Sequence, residues 1–309
     1  MNPINLSYVM TTYNKLPYLK EVMKRLLKNV KEDEEIVVVD GASTDGTVEY
    51  LIELYKQGKI NQFISEPDKG EAHGYNKGLL MAKGSLIKII TDDDAFYYPG
   101  IQECKNFMLE HPEIDVVGTN GAGNGQSTSP IKISYTQDYA LWKNKKTPFA
   151  FCGLGLMIRR ISIPLFGLCY TGVIRVDAEF SFRITSSPVN LAWYNEVCWV
   201  HIGNSSSNSV KFLELMDVEL KKMEQFYLGI TKPPKRKLLD TLILLFDKLL
   251  AKSLNLMKKS VFSLEVQHQN QKEIEQISFL FSDIIKHCED WLERCNNKKS
   301  DEKFSMRML

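Results

Sequence analysis

From residue 4 to about residue 120, short β-rich apolar runs alternate with stretches in which apolar residues return every three or four positions. The runs lie at 4–11, 35–40, 61–65, 85–91 and 115–119, and the longer-period stretches at 16–29, 47–57, 72–82 and 100–110. Within 16–29, Leu19, Val22, Met23, Leu26 and Leu27 fall on one side of a helix, which is amphipathic helical spacing rather than strand spacing. Strand–helix–strand alternation of this kind predicts a mostly parallel, doubly wound α/β sheet of Rossmann-like build.

Right-handed crossovers bring the loops that follow the strands to one edge of such a sheet, where open α/β sheets bind their ligands. The first three loops carry TTYN (11–14), DGASTDGT (40–47) and SEPDKGEAHGYNKG (65–78). Gly41 and Gly46 permit close approach of a ligand, and Ser43, Thr44 or Asp45 can cap the next helix. The fourth run, SLIKIIT (85–91), ends in three consecutive carboxylates, Asp92, Asp93 and Asp94. Adjacent carboxylates repel one another unless a cation or a donor-rich ligand sits among them. An all-oxygen donor set fits Mg²⁺ or Mn²⁺ rather than zinc, and such an ion is the simplest means of recruiting a diphosphate to an acidic edge. Neither GxGxxG nor GxxxxGK[ST] occurs, which removes a dinucleotide fold and a P-loop kinase.

Composition narrows the partners. The 309 residues are 44% apolar and 25% charged, ordinary for a globular protein. A net charge of +1, from 39 basic and 38 acidic residues, provides no field for nucleic acid. Cysteines 104, 152, 169, 198, 288 and 295 form no CxxC pair and no zinc spacing with histidine. With no secretory leader at the amino terminus, they read as reduced thiols of a cytoplasmic protein. No apolar stretch approaches the ~18 residues of a membrane span, leaving a soluble protein or one peripheral to the inner face of the plasma membrane.

Five segments together carry a resemblance: VMTTYNKLPYL (9–19), EIVVVDGASTDGT (35–47), ISEPDKGEAHGYNKG (64–78), KGSLIKIITDDDAFYYPG (83–100) and RVDAEFSFR (175–183). In this order, over residues 4–205, they resemble the family 2 glycosyltransferases, inverting nucleotide-sugar enzymes of the GT-A fold. The resemblance implies that Asp94, last of the D-x-D motif, binds the metal. Asp92 faces the ribose or a metal-bound water, with Asp93 between; the triple leaves that first role open between Asp92 and Asp93. Thr11 and Tyr13 match positions that line the nucleobase, and Asp40 matches the first carboxylate after the second strand. Gly41 stands where many relatives carry a second, base-reading aspartate, so uridine, thymidine and guanosine diphosphates stay open, with a UDP-sugar the leading expectation. Asp68 resembles the ribose or base contact. Lys69 is either a phosphate contact or a solvated lysine; Asn76 and His73 follow near the start of the next helix, with His73 expected at the surface.

The family's catalytic base is a carboxylate six residues before an arginine, which selects Asp177 before Arg183. Val176 replaces the glutamate of the relatives' usual pair. Glu179 is the rival base, or else a partner of Arg183. Such a base takes the acceptor hydroxyl proton during attack on the anomeric carbon, whereas a glycosidase needs two flanking carboxyls. The 151–160 segment implies that Gly153 lines the cleft, and GNGQSTSP (123–130) reads as an acceptor or product loop. His201 is either a ligand to metal or diphosphate or a structural histidine.

Residues 1–210 thus read as the catalytic domain and 211–309 as a helical extension. A helix ends near Gly229, ahead of KPP (232–234). The leucine-rich, lysine-flanked segment 235–260 suits either a membrane interface beside anionic lipid or packing on its own catalytic domain. Ile274, Ile277, Phe281, Ile284, Cys288, Trp291 and Cys295 form a heptad seam, fit for a helical hairpin or for homo-oligomerisation, with packing inside the chain favoured. Residues 296–309 read as a frayed charged tail. The expected activity is inverting transfer of a sugar to a hydroxyl of a glycan or lipid-linked acceptor. Its rivals are a sugar nucleotidyltransferase, which wants a glycine- and arginine-bearing first loop, and a catalytically degenerate or membrane-peripheral scaffold.

Overall fold

The computed structural model describes residues 3–123, 130–134, 138–203, 207–229, 271–297 and 302–306. The 235–260 segment and most of the GNGQSTSP loop lie outside the described residues.

The strands are β1 (Leu6–Thr12), β2 (Glu34–Asp40), β3 (Gln62–Ser65), β4 (Leu86–Ile90), β5 (Ala95–Phe96), β6 (Val116–Gly123), β7 (Lys132–Ser134), β8 (Met157–Arg159), β9 (Leu191–His201) and β10 (Phe304–Met306). The helices are α1 (Leu16–Asn29), α2 (Thr47–Lys56), α3 (Glu71–Met81), α4 (Tyr98–Glu110), α5 (Asp138–Lys145), α6 (Ile163–Phe166), α7 (Val176–Ser186), α8 (Asn208–Lys211), α9 (Leu213–Leu228) and α10 (Gln271–Asn296). One sheet runs β10-β9-β6-β8-β4-β1-β2-β3, with β5 on β9 and β7 on β6. The pairs β1·β2, β1·β4, β2·β3 and β6·β9 are parallel, while β8 runs against both β4 and β6. The mostly parallel, doubly wound α/β sheet read from the alternation is therefore present.

Its order explains where the loops go. β4, β1 and β2 are adjacent and parallel, so the segments following Ile90, Thr12 and Asp40 emerge side by side at the carboxyl edge. Every residue of β2 is buried, as a strand covered on both faces must be. α1 packs through the face its spacing predicts, with Leu19, Val22, Met23 and Leu26 at most 1% exposed. α9 ends at Gly229, whose positive φ of 65° closes the helix in the left-handed conformation that glycine adopts without a Cβ penalty.

The late elements join this core. α10 lies on α1: Phe281 meets Tyr18 edge-on at 5.0 Å, and Arg25 bridges to Glu289 at 3.0 Å. Its fully covered positions are Ile274, Phe281, Ile285, Cys288 and Leu292. Ile284, Trp291 and Cys295 of the expected seam are only partly covered, because the helix rests on a broad globular surface rather than in a two-helix seam. The tail differs from expectation. Phe304–Met306 pairs antiparallel with β9, and Phe304 stacks on Phe107 at 3.9 Å. An otherwise bare edge and an aromatic anchor outweigh the charge of the surrounding residues. No helix among the described residues is long and apolar enough to cross a membrane.

Candidate active site

The first two loops are stitched together before they meet the others. Asn14, at φ 51°, donates its backbone N–H to Ser43 Oγ (2.8 Å), and its side-chain oxygen accepts the Thr44 N–H (2.8 Å). Asp45 accepts from the N–H groups of Leu16 (2.9 Å) and Thr47 (3.1 Å), serving the first turns of both α1 and α2. Asp40 lies beneath, fully buried, and one of its carboxylate oxygens takes the Ser43 N–H (2.9 Å) and the Ser65 hydroxyl (2.6 Å). It props the loop and is not in the wall of the cavity above.

That cavity, of about 340 Å³, is walled by Thr11, Tyr13, Asp68, Asp92, Asp93, Asp94, Gly153, Asp177 and His201, together with Lys15, Glu71 and Lys211. Thr11, Tyr13, Asp68, Asp92, Asp93, Asp94, Gly153, Asp177 and His201 of the sequence reading meet there, whereas Asp40, Lys69 and Glu179 are not in its wall. Tyr13 is 60% exposed. A Cβ on Gly41 would sit 3.0 Å from Asp68 Oδ2 and 3.2 Å from Tyr13 Cδ2, so the glycine leaves a slot between ring and carboxylate. Asp68 also accepts the Gly70 N–H at 2.9 Å, fixing the start of α3.

The three aspartates are buried and differ in partner. Asp94 joins two strand ends: Oδ1 accepts the Ile202 N–H (2.7 Å) and lies 3.0 Å from His201 Nδ1, while Oδ2 accepts the Thr91 hydroxyl (2.7 Å). Burial works against its ionisation, but His201 and these hydrogen bonds prevail and hold its pKa below the ordinary value. The Asp94 charge raises His201 to about 9, so the pair is imidazolium and carboxylate at neutral pH. Lys15 reaches across from the first loop to ion-pair with Asp93 and approaches Asp92 at 3.5 Å. Asp92 is nonetheless raised to about 7, by burial and by repulsion from Asp93, against the pull of Lys15. Glu71 is raised by burial as well, with the charges of Asp177 and Asp93 adding to the effect. Six carboxylates thus face two lysines and one histidine, an excess of negative charge that invites a hard cation. Among the described residues, no three His, Cys, Asp or Glu side chains form a ready-made metal cluster.

Asp177 stands in the first turn of α7, with Oδ1 accepting the Ala178 N–H at 2.8 Å. A Cβ on Gly153 would lie 3.6 Å from Asp177 Cβ, so the small residue keeps this carboxylate accessible. Burial and the neighbouring Asp177 charge push the Cys152 thiol well above its ordinary value and keep it neutral. Glu179 is engaged elsewhere. Arg183 grips it through Nε (2.9 Å) and Nη2 (2.7 Å), and Tyr227 donates to it at 3.2 Å. Asn76 and Cys169 exchange two hydrogen bonds of 2.8 Å, and His73 Nδ1 accepts the Lys69 N–H at 3.1 Å, so both α3 residues have local structural partners.

The sequence model of glycosyl transferase family 2 matches residues 7–166, more than half of the chain. The chain belongs to this family. Among curated relatives of this glycosyltransferase, an uncharacterized glycosyltransferase of Rickettsia conorii is 27% identical over 127 residues, 39% of this chain and 21% of that protein. One from Haemophilus influenzae is 28% identical over 69% of this chain and 85% of its own length. A putative teichuronic acid biosynthesis glycosyltransferase of Bacillus subtilis is 28% identical, over 34% of this chain and 42% of that protein. The fold is that of the crystal structure of Staphylococcus aureus TarS 1–349 in complex with UDP-GlcNAc (TM-score 0.55, 14% identity, 98% and 96% of the two chains). It is also that of a mannosyltransferase from Pyrobaculum calidifontis in complex with GDP-Man and Mn²⁺ (TM-score 0.53, 14% identity, 97% and 89%).

Sequence reading passed over Lys15, Glu71 and Lys211 as members of the site. Lys15 had a signal, standing two residues beyond Tyr13 in a loop bound for the aspartate cluster. A lone loop lysine is ordinarily solvated, and only the β1·β4 pairing brings it within reach of Asp93.

Proposed function

We propose that this glycosyltransferase moves a sugar, with inversion, from a nucleoside diphosphate sugar to a hydroxyl of a glycan or lipid-linked acceptor in polysaccharide or cell-surface glycan synthesis. A UDP-sugar is the leading donor. The observation that carries the reading is one cavity walled at once by Thr11 and Tyr13, Asp68, the aspartate triple, His201 and Asp177. The UDP-GlcNAc and GDP-Man complexes of the two solved structures support the donor class, and the putative teichuronic acid enzyme supports the glycan context.

In this reading Tyr13 offers a stacking face to the base, and Asp68 accepts hydrogen bonds from the nucleoside at the slot left by Gly41. The buried, oxygen-rich carboxylates fit a divalent ion; Asp94 and Asp92 would hold Mn²⁺ or Mg²⁺, with His201 beside Asp94. When bound, the ion supplies Lewis-acid neutralisation of the charge on the departing diphosphate. Lys15, already against Asp92 and Asp93, adds a protein cation next to the same phosphates. Asp177 takes the proton of the acceptor hydroxyl as that oxygen attacks the anomeric carbon. The bond from that carbon to the diphosphate breaks on the opposite face, which inverts the centre. The Ala178 N–H holds one oxygen of Asp177 in place, and the neutral Cys152 thiol does not compete for the proton. No second acid is needed, since the diphosphate leaves without being protonated.

Thermal-shift titration of UDP, GDP and their sugars, with and without Mn²⁺, tests the reading, because a ligand of the folded state raises its stability with concentration. The expected result is Mn²⁺-dependent stabilisation by one nucleotide series, lost in Asp94→Ala. Asp177→Asn should retain it and lose transfer. Absence of stabilisation by any nucleotide diphosphate would return the chain to the scaffold alternative.

A further inference from the structure

A second cavity, of about 330 Å³, lies between α5, residues 147–152, α7 and α9, and shares Phe151, Cys152 and Asp177 with the first. Asp177 is therefore common to both spaces. On one side stand the aspartates and Lys15. On the other the wall is Leu141, Phe149, Ala178, Phe182, Leu220 and Leu228, with Arg175 and Glu224 among its few charged members. α9 is fixed over this space. Its Glu219 accepts the backbone N–H groups of Ile174 (3.0 Å) and Arg175 (2.9 Å) just ahead of α7, and its Tyr227 stacks on Phe182 at 5.2 Å and 4°. The cavity is thus built by paired elements rather than left by a loose surface helix.

We infer that this second cavity receives the acceptor, and that the acceptor is amphipathic: a sugar hydroxyl presented at Asp177, carried on a hydrocarbon aglycone that lies against Phe149, Phe182 and Leu220. The inference rests on Asp177 being the base of the transfer proposed above. Inversion requires the nucleophile to approach from the face opposite the diphosphate, and a base must stand within hydrogen-bond reach of the proton it removes. The second space has Asp177 in its wall and none of the aspartate triple, the placement that both conditions ask of an acceptor site. Its chemistry then selects the acceptor. A free oligosaccharide needs a dense set of hydrogen-bonding partners, and burying its hydroxyls against phenyl and aliphatic groups costs free energy. A hydrocarbon chain gains there in proportion to the apolar area removed from water. A pocket of apolar wall with a few convergent polar groups is the usual form of a small-ligand site.

Saturation-transfer NMR on the full chain, with octyl β-glucoside below its micelle concentration and methyl β-glucoside as the control, tests this. The octyl chain should receive saturation, and the octyl compound should bind at least about ten-fold more tightly than the methyl one. Leu220→Trp, which fills the cavity, should weaken octyl binding by at least about ten-fold; Ala178→Leu, which narrows it beside Asp177, should act in the same direction. UDP with Mn²⁺, titrated into the same proteins, reports the donor side and confirms that each variant is folded. Equal binding of the two glucosides, or octyl binding untouched by both variants, would overturn the inference while leaving the transferase reading in place. Octyl binding without any Mn²⁺-dependent UDP binding would overturn the transferase reading, and the acceptor assignment with it.

Discussion

The two edges of the same parallel strands both bury carboxylates beside a lysine, and they use them differently. At the amino edge, Lys105 donates to Asp33 (2.7 Å) and Glu34 (2.8 Å), while Gln102 donates to the same Glu34 oxygen (2.8 Å) and Asn5 to the other oxygen of Asp33 (2.7 Å). At the carboxyl edge, Lys15 faces Asp92 and Asp93 with Asp94, Glu71 and Asp177 close behind. The first cluster is closed around its cation. The second has more negative charge than its own side chains neutralise, and it opens onto a cavity. A buried ionic group whose partners are all present is a structural device, whereas an unbalanced one beside a cavity is poised for a ligand.

The largest effect should come from the open cluster. Asp94→Ala is expected to lower transfer by at least about a thousand-fold, and Asp177→Asn by about 10²–10⁴-fold. The two separate in a binding assay, where only Asp94→Ala loses Mn²⁺-dependent nucleotide affinity. The closed cluster should answer in stability instead. Lys105→Met removes the cation from the buried Glu34, and urea denaturation should show a loss of about 3–5 kcal/mol, with nucleotide affinity in the surviving folded protein unchanged. If Lys105→Met impairs donor binding as severely as Asp94→Ala, the division between the edges fails.

Lys88 sharpens the contrast from between the two. It is a buried cation with no carboxylate partner among the described residues, donating to the carbonyls of Ile89 (2.8 Å), Leu154 (2.5 Å) and Leu156 (3.3 Å). It thereby ties β4 to the segment that carries Cys152 and Gly153. Lys88→Met leaves these carbonyls unpaired at a cost of about 1–3 kcal/mol. Acceptor turnover should fall more than donor affinity, as a split between kcat and donor KM would show.

The smallest effect concerns pH. Burial raises the Glu71 pKa, so the folded state keeps a proton that the unfolded chain has already released. Stability from this group is complete below the ordinary glutamate value and is lost as pH rises through the raised one. Glu71→Gln should therefore gain about 2 °C in Tm at pH 7 for the ligand-free protein. That gain should vanish at pH 4, where both forms are neutral.

Much of this was readable from pattern alone. The alternation of periods gave the order of the first four strands and helices, and the requirement that loops leave one edge brought Thr11, Asp68 and the aspartates together. Asp177 came instead from the family resemblance, through its spacing to Arg183, and Glu179 stands in the ion pair weighed against its catalytic role. What stayed hidden depends on pairing between distant residues. Asp40 has the composition of a ligand contact, but Ser43 and Ser65 claim one of its oxygens, and nothing local announces Ser65 as a partner. The lining of the second cavity comes from 138–141, 147–152, 175–182 and 220–228; only the third belongs to a motif, and nothing local says that the others close around it. β8 and β10 are each three residues long, too short for a period to register.

β10 also bears on how the molecule is made. Ser305 meets Asn195 across 110 residues of sequence, so the aromatic-rich edge of β9 remains unpaired on the ribosome until that distance has been translated, roughly 5–20 s at ordinary elongation rates. During that interval a Trp- and Tyr-bearing strand presents its bare amides to whatever is nearby. Expression yield should therefore depend on chaperone supply and growth temperature more than the stability of the finished fold would suggest.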